Sequence, residues 1–219
     1  MFDAIILLAG KGKRTGLPYN KVFHELNSKP LFRHSLEKFL ELPSCRKVVL
    51  VCEKTEIAAV QALVSDPRIA LTEGGSERQD SVRAGMEACE SEVVLIHDGA
   101  RPFVTGEEIK AVFRATLRSK AAAPGIRPRD TIAEAGEAYR TLDRNKLWKV
   151  LTPQGVYRNL YLEAWRLAAA EAYYGTDDIS LLAKYLGIIP EIVPGSDKNI
   201  KVTTAEDLLF LEFLSRREA

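Results

Sequence analysis

The sequence has few of the features that mark membrane, disulfide-rich or nucleic-acid-binding proteins. Its three cysteines, Cys45, Cys52 and Cys89, form no C-x-x-C pair, which argues against a zinc site or a disulfide framework. Lys and Arg number 31 against 30 Asp and Glu, so the net charge of +1 gives no bulk attraction to nucleic acid or anionic lipid. No apolar run is long enough to span a bilayer, and the N-terminus lacks the pattern of a signal peptide. We therefore expect a cytoplasmic protein with no nucleic-acid or membrane partner.

The hydrophobic content of 46% in 219 residues suffices for one domain with a full core, residues 1–219. Short apolar runs predict strands at 5–8, 47–52, 69–72, 93–97, 121–126 and 188–193. Apolar spacings of three and four predict helices at 30–42, 56–64, 77–89, 157–174, 179–186 and 204–217. This alternation predicts a Rossmann-like α/β fold, a mainly parallel twisted sheet flanked by helices. Ligands in such folds bind beyond the carboxyl ends of the strands.

A polar stretch at residues 127–148 interrupts this alternation. Polar and apolar residues alternate from Thr131 to Glu134, and Ala135-Gly136 offers a turn, so the stretch predicts a β-hairpin arm. A two-stranded hairpin is barely stable by itself. One interpretation is an arm that packs on a second subunit, and the other is a loose surface hairpin.

The N-terminal loop is the feature that points most directly to chemistry. Three glycines and three cations lie between Gly10 and Gly16, directly after a predicted strand, and Lys21 follows. Glycines let the backbone turn tightly around an anion, and cations offset phosphate charge. The pattern departs from a P-loop after Gly16 and from the dinucleotide fingerprint at Thr15. A polyphosphate cradle and an ordinary turn with solvated lysines both remain open.

Three further segments, 74–81, 97–102 and 197–203, lie beside predicted strands or helices. The first, GGSERQDS, offers N–H and hydroxyl groups either to a base or only to a helix start. In the second, HDGARP, Asp98 can bind a divalent cation while Arg101 reaches a phosphate, or the two form a turn salt bridge. The third presents Lys201, which either stabilises phosphate charge or is solvated.

Together these segments resemble the 2-C-methyl-D-erythritol 4-phosphate cytidylyltransferase family, nucleotidyltransferases with a glycine-rich A-G-x-G-x-R loop. The resemblance extends over nearly the whole chain. It rests on 9–14, Lys21, 75–81, HDGARP at 97–102, RDT at 129–131, TLDRN at 141–145, LTPQ at 151–154, TD at 176–177 and NIKVT at 199–203. Two positions depart from the family pattern: Asn20-Lys21-Val22 replaces the usual Pro-Lys-Gln, and Leu8 stands where a small residue is common.

The resemblance implies transfer of CMP from CTP to methylerythritol phosphate, with Mg²⁺ as cofactor, in a homodimer joined through the arm. The implied catalytic residues are Arg14, Lys21 and Lys201. The implied nucleotide-binding residues are Leu8, Ala9, Gly10, Gly12, Lys13, Gly75, Ser76 and Ser81. The implied acceptor-binding residues are Asp98, Arg101, Thr152 and Thr176, with Thr131 and Arg144 reaching in from the partner subunit's arm. Asp98 is also the implied metal ligand.

Three rival functions are open to test. Ribitol-5-phosphate cytidylyltransferases are similar in the N-terminal half, although the DRN-x-LW and LTPQ segments favour methylerythritol phosphate. A non-catalytic nucleotide sensor on the same fold would be expected to lack the cations of the loop, which are present here. A retaining glycosyltransferase would be expected to show Asp-x-Asp, whereas Asp98 is followed by Gly99-Ala100.

Overall fold

A computed structural model of the chain describes residues 1–10 and 13–216. In these residues the strands are β1 (Phe2–Leu7), β2 (Glu25–Leu26), β3 (Lys29–Pro30), β4 (Cys45–Cys52), β5 (Ile69–Glu73), β6 (Val93–Asp98), β7 (Ala121–Ile126), β8 (Ala133–Ala135), β9 (Tyr139–Thr141), β10 (Lys149–Val150), β11 (Gln154–Tyr157) and β12 (Glu191–Pro194). The helices are α1 (Leu31–Leu40), α2 (Ile57–Ala62), α3 (Arg78–Ala88), α4 (Gly106–Ser119), α5 (Arg158–Ala170), α6 (Asp178–Leu186) and α7 (Ala205–Ser215). None of these helices is both long and apolar enough to cross a bilayer.

The central sheet confirms the predicted architecture. Its strand order is β10-β7-β11-β6-β1-β4-β5, and β12 pairs with β7 as the eighth strand. The strands β6, β1, β4 and β5 are parallel to one another, so their carboxyl ends lie at the same edge of the sheet. The strand β11 runs antiparallel between β6 and β7. Helices cover both faces of this mainly parallel sheet.

Helices on both faces explain why β1 is apolar along most of its length. Ala4 and Ile6 face a core cluster that includes residues of α1, α4 and α7, whereas Ile5 and Leu7 face a second cluster with α3, α5 and α6. Successive side chains of a strand point to opposite faces, and here each face meets a helical layer. The strand is therefore buried throughout.

Four elements lie outside the predicted set: α4, β11 and the two-residue strands β2 and β3. The signal for α4 was present, because Thr105 and Glu108 form a capping box at its start. The strand β11 has only four residues and includes Gly155, so neither its length nor its composition marks it as a central strand. A Cβ on Gly155 would lie 2.0 Å from Thr116 Oγ1, which shows how closely α4 packs on β11. The predicted helix at 157–174 is shorter than expected and ends at Ala170.

The arm is a β-hairpin, as predicted. The strands β8 and β9 pair in antiparallel register, and nearly all side chains from residue 127 to 149 are exposed. Tyr139 is 74% exposed, and Trp148, at the base of the arm, is 38% exposed beneath the Arg127 guanidinium. Large apolar side chains left exposed on a weak element are typical of an interaction surface. Packing of the arm on a second subunit stays a prediction.

Asp3 fixes the edge of the sheet opposite the carboxyl ends. It is fully buried, and its carboxylate accepts hydrogen bonds from Arg46 Nη2 at 2.8 Å and Ser91 Oγ at 2.8 Å. The backbone N–H of Glu90 adds a third at 2.7 Å. Burial by itself would raise the pKa of Asp3, but these hydrogen bonds outweigh it and lower the pKa below its ordinary value. The ionised form of Asp3 therefore stabilises the fold.

We predict that Asp3→Asn lowers the free energy of unfolding by about 3 kcal/mol at neutral pH, because a buried amide cannot accept all the hydrogen bonds that Arg46, Ser91 and Glu90 donate to the carboxylate. Glu90→Gln, which removes an exposed partner of the same arginine, should cost less than about 1 kcal/mol. Because the folded-state pKa of Asp3 is lowered, its contribution is present above the unfolded-state pKa and is lost as pH falls through the folded-state value. Urea unfolding at neutral and acidic pH measures this, and equal costs for both variants would contradict it.

Candidate active site

A cavity of about 330 Å³ opens where the carboxyl ends of β1 and β6 meet. Seven of the residues predicted for the site line it: Leu8, Ala9, Gly10, Arg14, Lys21, Asp98 and Lys201. These residues come from the N-terminal loop, the end of β6 and the segment before α7, so the fold joins the two ends of the chain here. The described part of the lining holds four cations against one carboxylate, since Arg78 adds to the predicted three. The cavity therefore complements a polyanion.

Asp98 is the carboxylate at the centre of these cations. Its Oδ2 lies 2.7 Å from Lys201 Nζ, and its Oδ1 lies 3.3 Å from Arg78 Nη2. Burial by itself would raise the pKa of Asp98, but the charges of Arg78 and Lys201 outweigh it and hold the pKa well below its ordinary range. Asp98 is therefore ionised at every physiological pH. Lys201 lies in an ion pair at the site, so the alternative of a merely solvated lysine does not hold.

Arg78 is a residue of the site to which the sequence pattern gave no role. Its guanidinium makes two hydrogen bonds to the buried Asp178, at 3.0 and 2.8 Å, and also contacts Asp98. Burial by itself would lower the pKa of Arg78, but these two carboxylates raise it above its ordinary value. Arg78 thus links the end of β6 to the start of α6. The segment ERQDS contained Arg78, but no local signal names a partner 100 positions further along the chain.

Lys21 reaches the cavity from a short 3₁₀ turn, Lys21–Phe23. Burial lowers its pKa, and the nearby charges of Lys201 and Arg14 lower it further. Like charges held this close repel one another unless an anion lies between them. A triphosphate would supply that anion.

Close backbone approach at the cavity depends on two glycines. Gly10 has φ of +140°, a conformation that residues with a side chain rarely adopt. A Cβ on Gly99 would lie 2.5 Å from Leu8 Cδ2, and the Gly99 N–H donates to the Leu7 carbonyl at 2.9 Å. The ends of β1 and β6 can therefore lie side by side around the cavity. Gly12 and the side chain of Lys13 lie outside the described residues.

The predicted base-binding segment lies next to the cavity, although Gly75, Ser76 and Ser81 do not line it. The Gly75 N–H donates to Ser81 Oγ at 3.1 Å. A Cβ on the preceding Gly74 would come within 3.1 Å of Ala9 Cβ, so this turn lies directly against the cavity wall. The N-cap position of α3 is Glu77, whose side chain makes no capping bond. Ser76 and Ser81 are therefore not the capping residues of that helix.

Thr152 lies in the break between β10 and β11, beneath the end of β6. Its Oγ1 accepts a hydrogen bond from the Asp98 N–H at 3.2 Å and lies 3.0 Å from His97 Nδ1. His97 Nε2 lies 3.1 Å from the Arg101 carbonyl, which can only accept, so Nε2 carries the proton and the Thr152 hydroxyl donates to Nδ1. Burial lowers the pKa of His97 to about 4, so the imidazole stays neutral. Thr152 thereby orients the backbone at Asp98.

The remaining acceptor residues lie outside the cavity lining. Arg101 Nη1 donates to the Asn199 carbonyl at 2.7 Å. Its buried Nε has no hydrogen-bond partner among the described residues but lies 3.8 Å from Asp98 Oδ2, so the turn salt bridge between these two residues is present. Thr176 lies in an exposed loop just before α6. Thr131 and Arg144 lie on the exposed arm and are absent from the cavity of their own chain.

The comparisons with known proteins place the chain in a family. The family model of IspD, 2-C-methyl-D-erythritol 4-phosphate cytidylyltransferase, matches residues 2–217. Curated enzymes of that name from Geobacillus kaustophilus and Syntrophus aciditrophicus are 42% and 37% identical, covering 96% and 98% of this chain and 95% and 96% of their own. The chain belongs to the 2-C-methyl-D-erythritol 4-phosphate cytidylyltransferase family. It is thus a nucleotidyltransferase, as the sequence predicted.

Solved structures agree with this assignment. The 4-diphosphocytidyl-2C-methyl-D-erythritol synthase from Anaerococcus prevotii superposes with a TM-score of 0.89 at 26% identity, covering 99% of this chain and 96% of its own. The 2-C-methyl-D-erythritol 4-phosphate cytidylyltransferase from Thermus thermophilus gives 0.79 at 29% identity, covering 99% and 100%. The cytidylyltransferase fold predicted from the sequence is therefore confirmed.

The metal chemistry of a cytidylyltransferase can be tested against the donors at this site. No three of the described His, Cys, Asp and Glu side chains cluster closely enough to hold a metal ion. Among the described lining residues, Asp98 alone offers carboxylate oxygens to the cavity, and both are ion-paired. Mg²⁺ commonly binds through one or two carboxylates together with substrate phosphates and water. The donor set fits a Mg²⁺ that arrives with a nucleotide.

We predict that Arg78→Leu lowers the free energy of unfolding by about 4 kcal/mol, because it leaves Asp178 buried without its cationic partner. It should also raise the pKa of Asp98, which an NMR titration of the carboxyl carbon would measure. The matched control is Arg83→Leu on the same helix, where the arginine pairs with the exposed Glu87 and should contribute less than about 1 kcal/mol. If the two variants unfold at the same urea concentration, the contacts of Arg78 with Asp98 and Asp178 do not stabilise the fold.

Proposed function

We propose that the chain transfers the CMP group of CTP to 2-C-methyl-D-erythritol 4-phosphate and releases pyrophosphate. The observation that carries this proposal is the group of four cations around one carboxylate, in a chain of this enzyme family. A cavity with this excess of positive charge suits a triphosphate, and its place at the strand ends suits a nucleotide. The product would be 4-diphosphocytidyl-2-C-methyl-D-erythritol.

The proposed reaction is an in-line displacement at the α-phosphorus of CTP. A phosphate oxygen of the acceptor forms the new P–O bond, and the bond from the α-phosphorus to the bridging oxygen of pyrophosphate breaks. The acceptor oxygen is already an anion, so the step requires no general base. His97, which precedes Asp98, is neutral and has both ring nitrogens engaged, so it is not available as a general base. Positioning and charge stabilisation carry the rate.

The cations divide this work between them. Arg14 and Lys21 would stabilise the charge that develops on the α-phosphate and on the departing pyrophosphate, and Lys201, which is paired with Asp98, would also contact the phosphates. Asp98 would hold a Mg²⁺ that CTP brings, or the polyol of the acceptor. Bound Mg²⁺ would neutralise phosphate charge. Arg101, whose Nε lacks a hydrogen-bond partner among the described residues, would contact the acceptor.

The arm would complete the acceptor site of a second subunit. Thr131 and Arg144 are exposed and do not line the cavity of their own chain. The arm carries exposed aromatic side chains that a second subunit would cover. We therefore propose a homodimer in which each arm contributes these two residues to the neighbouring site.

The cation roles predict large losses of rate. Lys21→Ala or Arg14→Ala should lower turnover by about 10²- to 10³-fold, because each removes charge that stabilises the transition state. Lys38→Ala, an exposed lysine on α1, is the matched control and should retain turnover within about twofold. Pyrophosphate release measures all three, and near-normal turnover in either site variant would refute the roles.

The same assay separates the rival functions. Pyrophosphate should appear with CTP and methylerythritol phosphate but not with CTP and ribitol 5-phosphate. Faster release with ribitol phosphate would favour the alternative substrate. CTP binding without release with either phosphate would instead favour a nucleotide-binding module.

Exchange of arms predicts complementation between two inactive variants. In a heterodimer of Lys21→Ala and Arg144→Ala subunits, one site collects both substitutions and the other collects neither. Equal mixing and re-association should therefore restore about a quarter of wild-type activity, since about half of the dimers would carry one intact site. The mixture could instead stay as inactive as either variant by itself while analytical ultracentrifugation shows that it is dimeric. That result would contradict a site shared between two subunits.

A further inference from the structure

Asn20 directly precedes Lys21, the lysine proposed to stabilise the transferred phosphate. Its side chain is buried, with 8% of the residue exposed. The amide nitrogen donates to the Leu8 carbonyl at 2.8 Å and to Glu56 Oε2 at 3.0 Å, and the amide oxygen accepts from the Val22 N–H at 3.3 Å. Both amide hydrogens and the oxygen are therefore engaged. Ala, Ser or Asp could not make all three bonds.

The Leu8 carbonyl is a rigid anchor for this amide. Leu8 is buried, and its N–H donates to the Val51 carbonyl at 2.8 Å, with the Ala9 N–H on the same oxygen at 3.0 Å. The end of β1 is thus held by the neighbouring strand β4. Asn20 connects this anchor to the turn that carries Lys21, across twelve positions of sequence.

The Lys21 turn also needs an anchor for electrostatic reasons. Lys201 and Arg14 lie close enough to lower the pKa of Lys21, which means that they repel its charged form. Before a triphosphate binds, this repulsion favours movement of the lysine out of the cavity. A bond from the turn to the sheet opposes that movement and keeps the lysine in place for the reaction.

We propose that Asn20 is a positioning residue for Lys21, acting through its amide bonds to Leu8, Glu56 and Val22. This inference rests on the proposed function, because it assigns Asn20 an effect on the rate of CMP transfer. Asn20 does not have to touch substrate. It fixes where the Lys21 backbone begins, so that the ammonium group meets the phosphates without a further ordering cost.

A double-mutant cycle tests the inference. Asn20→Ala should lower kcat by about 10- to 100-fold while KM for both substrates changes less than about threefold, since Lys21 acts mainly on the transition state. In a Lys21→Ala background the same substitution should cause no further loss, because the group that Asn20 positions is gone. Tyr19→Phe, which removes an exposed hydroxyl bonded to His24, is the neighbouring control and should keep the wild-type kcat.

A second variant separates a loss of positioning from a loss of folding. Asn20→Ser keeps an acceptor for the Val22 N–H but has no amide to reach Leu8 or Glu56, and it should lose rate as Asn20→Ala does while remaining folded by circular dichroism. A wild-type kcat in both Asn20 variants would overturn the inference. So would an equal loss in the wild-type and Lys21→Ala backgrounds, since Asn20 would then support only the fold. Normal turnover in Lys21→Ala would instead refute the catalytic role of Lys21, whereas the absence of pyrophosphate release by the wild-type enzyme would overturn the proposed function.

Discussion

The ionised carboxylate of Asp98 is the interaction on which the rest of the site depends. It lies at the end of a central strand, where burial would favour its neutral form, and two cations outweigh that cost. The cations in turn need it, since Lys201 and Arg78 approach each other only because a negative charge lies between them. Asp98 thus holds together two cations, Arg78 and Lys201, that are far apart in the sequence. The cavity still keeps an excess of positive charge for the substrate.

Rigid supports hold this ion cluster in place. The Thr152 hydroxyl accepts from the Asp98 N–H and donates to a neutral imidazole, so its orientation is fixed. Arg78 is held by a buried carboxylate at the start of α6. The Lys21 turn is tied to β1 through one amide. A site that relies on positioned charge benefits from such supports, because they place the charges before substrate arrives.

Local patterns in the sequence predicted the parts of the site that sit at strand ends. An apolar run followed by glycine and lysine identified the loop after β1. A strand that ends in Asp98 identified the part of the cavity at the end of β6. Contacts between residues far apart in the sequence could not be predicted from local patterns. No residue pattern near Arg78 indicates its contact with Asp178, and none near Asn20 indicates its contact with the Leu8 carbonyl. Both contacts depend on the order of the strands in the sheet. For the same reason β11 was not predicted, since its position between two other strands is determined by tertiary packing and not by its own four residues.

In the proposed reaction, positioned cations stabilise the transition state and no general base takes part. The pH dependence of kcat/KM for CTP distinguishes these two forms of catalysis, because kcat/KM reports the groups that titrate in the free enzyme. We expect no rise in kcat/KM from about pH 7 upward, and a fall on the alkaline side as Lys21, whose pKa is lowered, loses its proton. Lys21→Arg should remove that fall, since arginine stays charged. A rise in kcat/KM between about pH 7 and 9 would instead reveal a catalytic base and rule out catalysis by positioned cations without one.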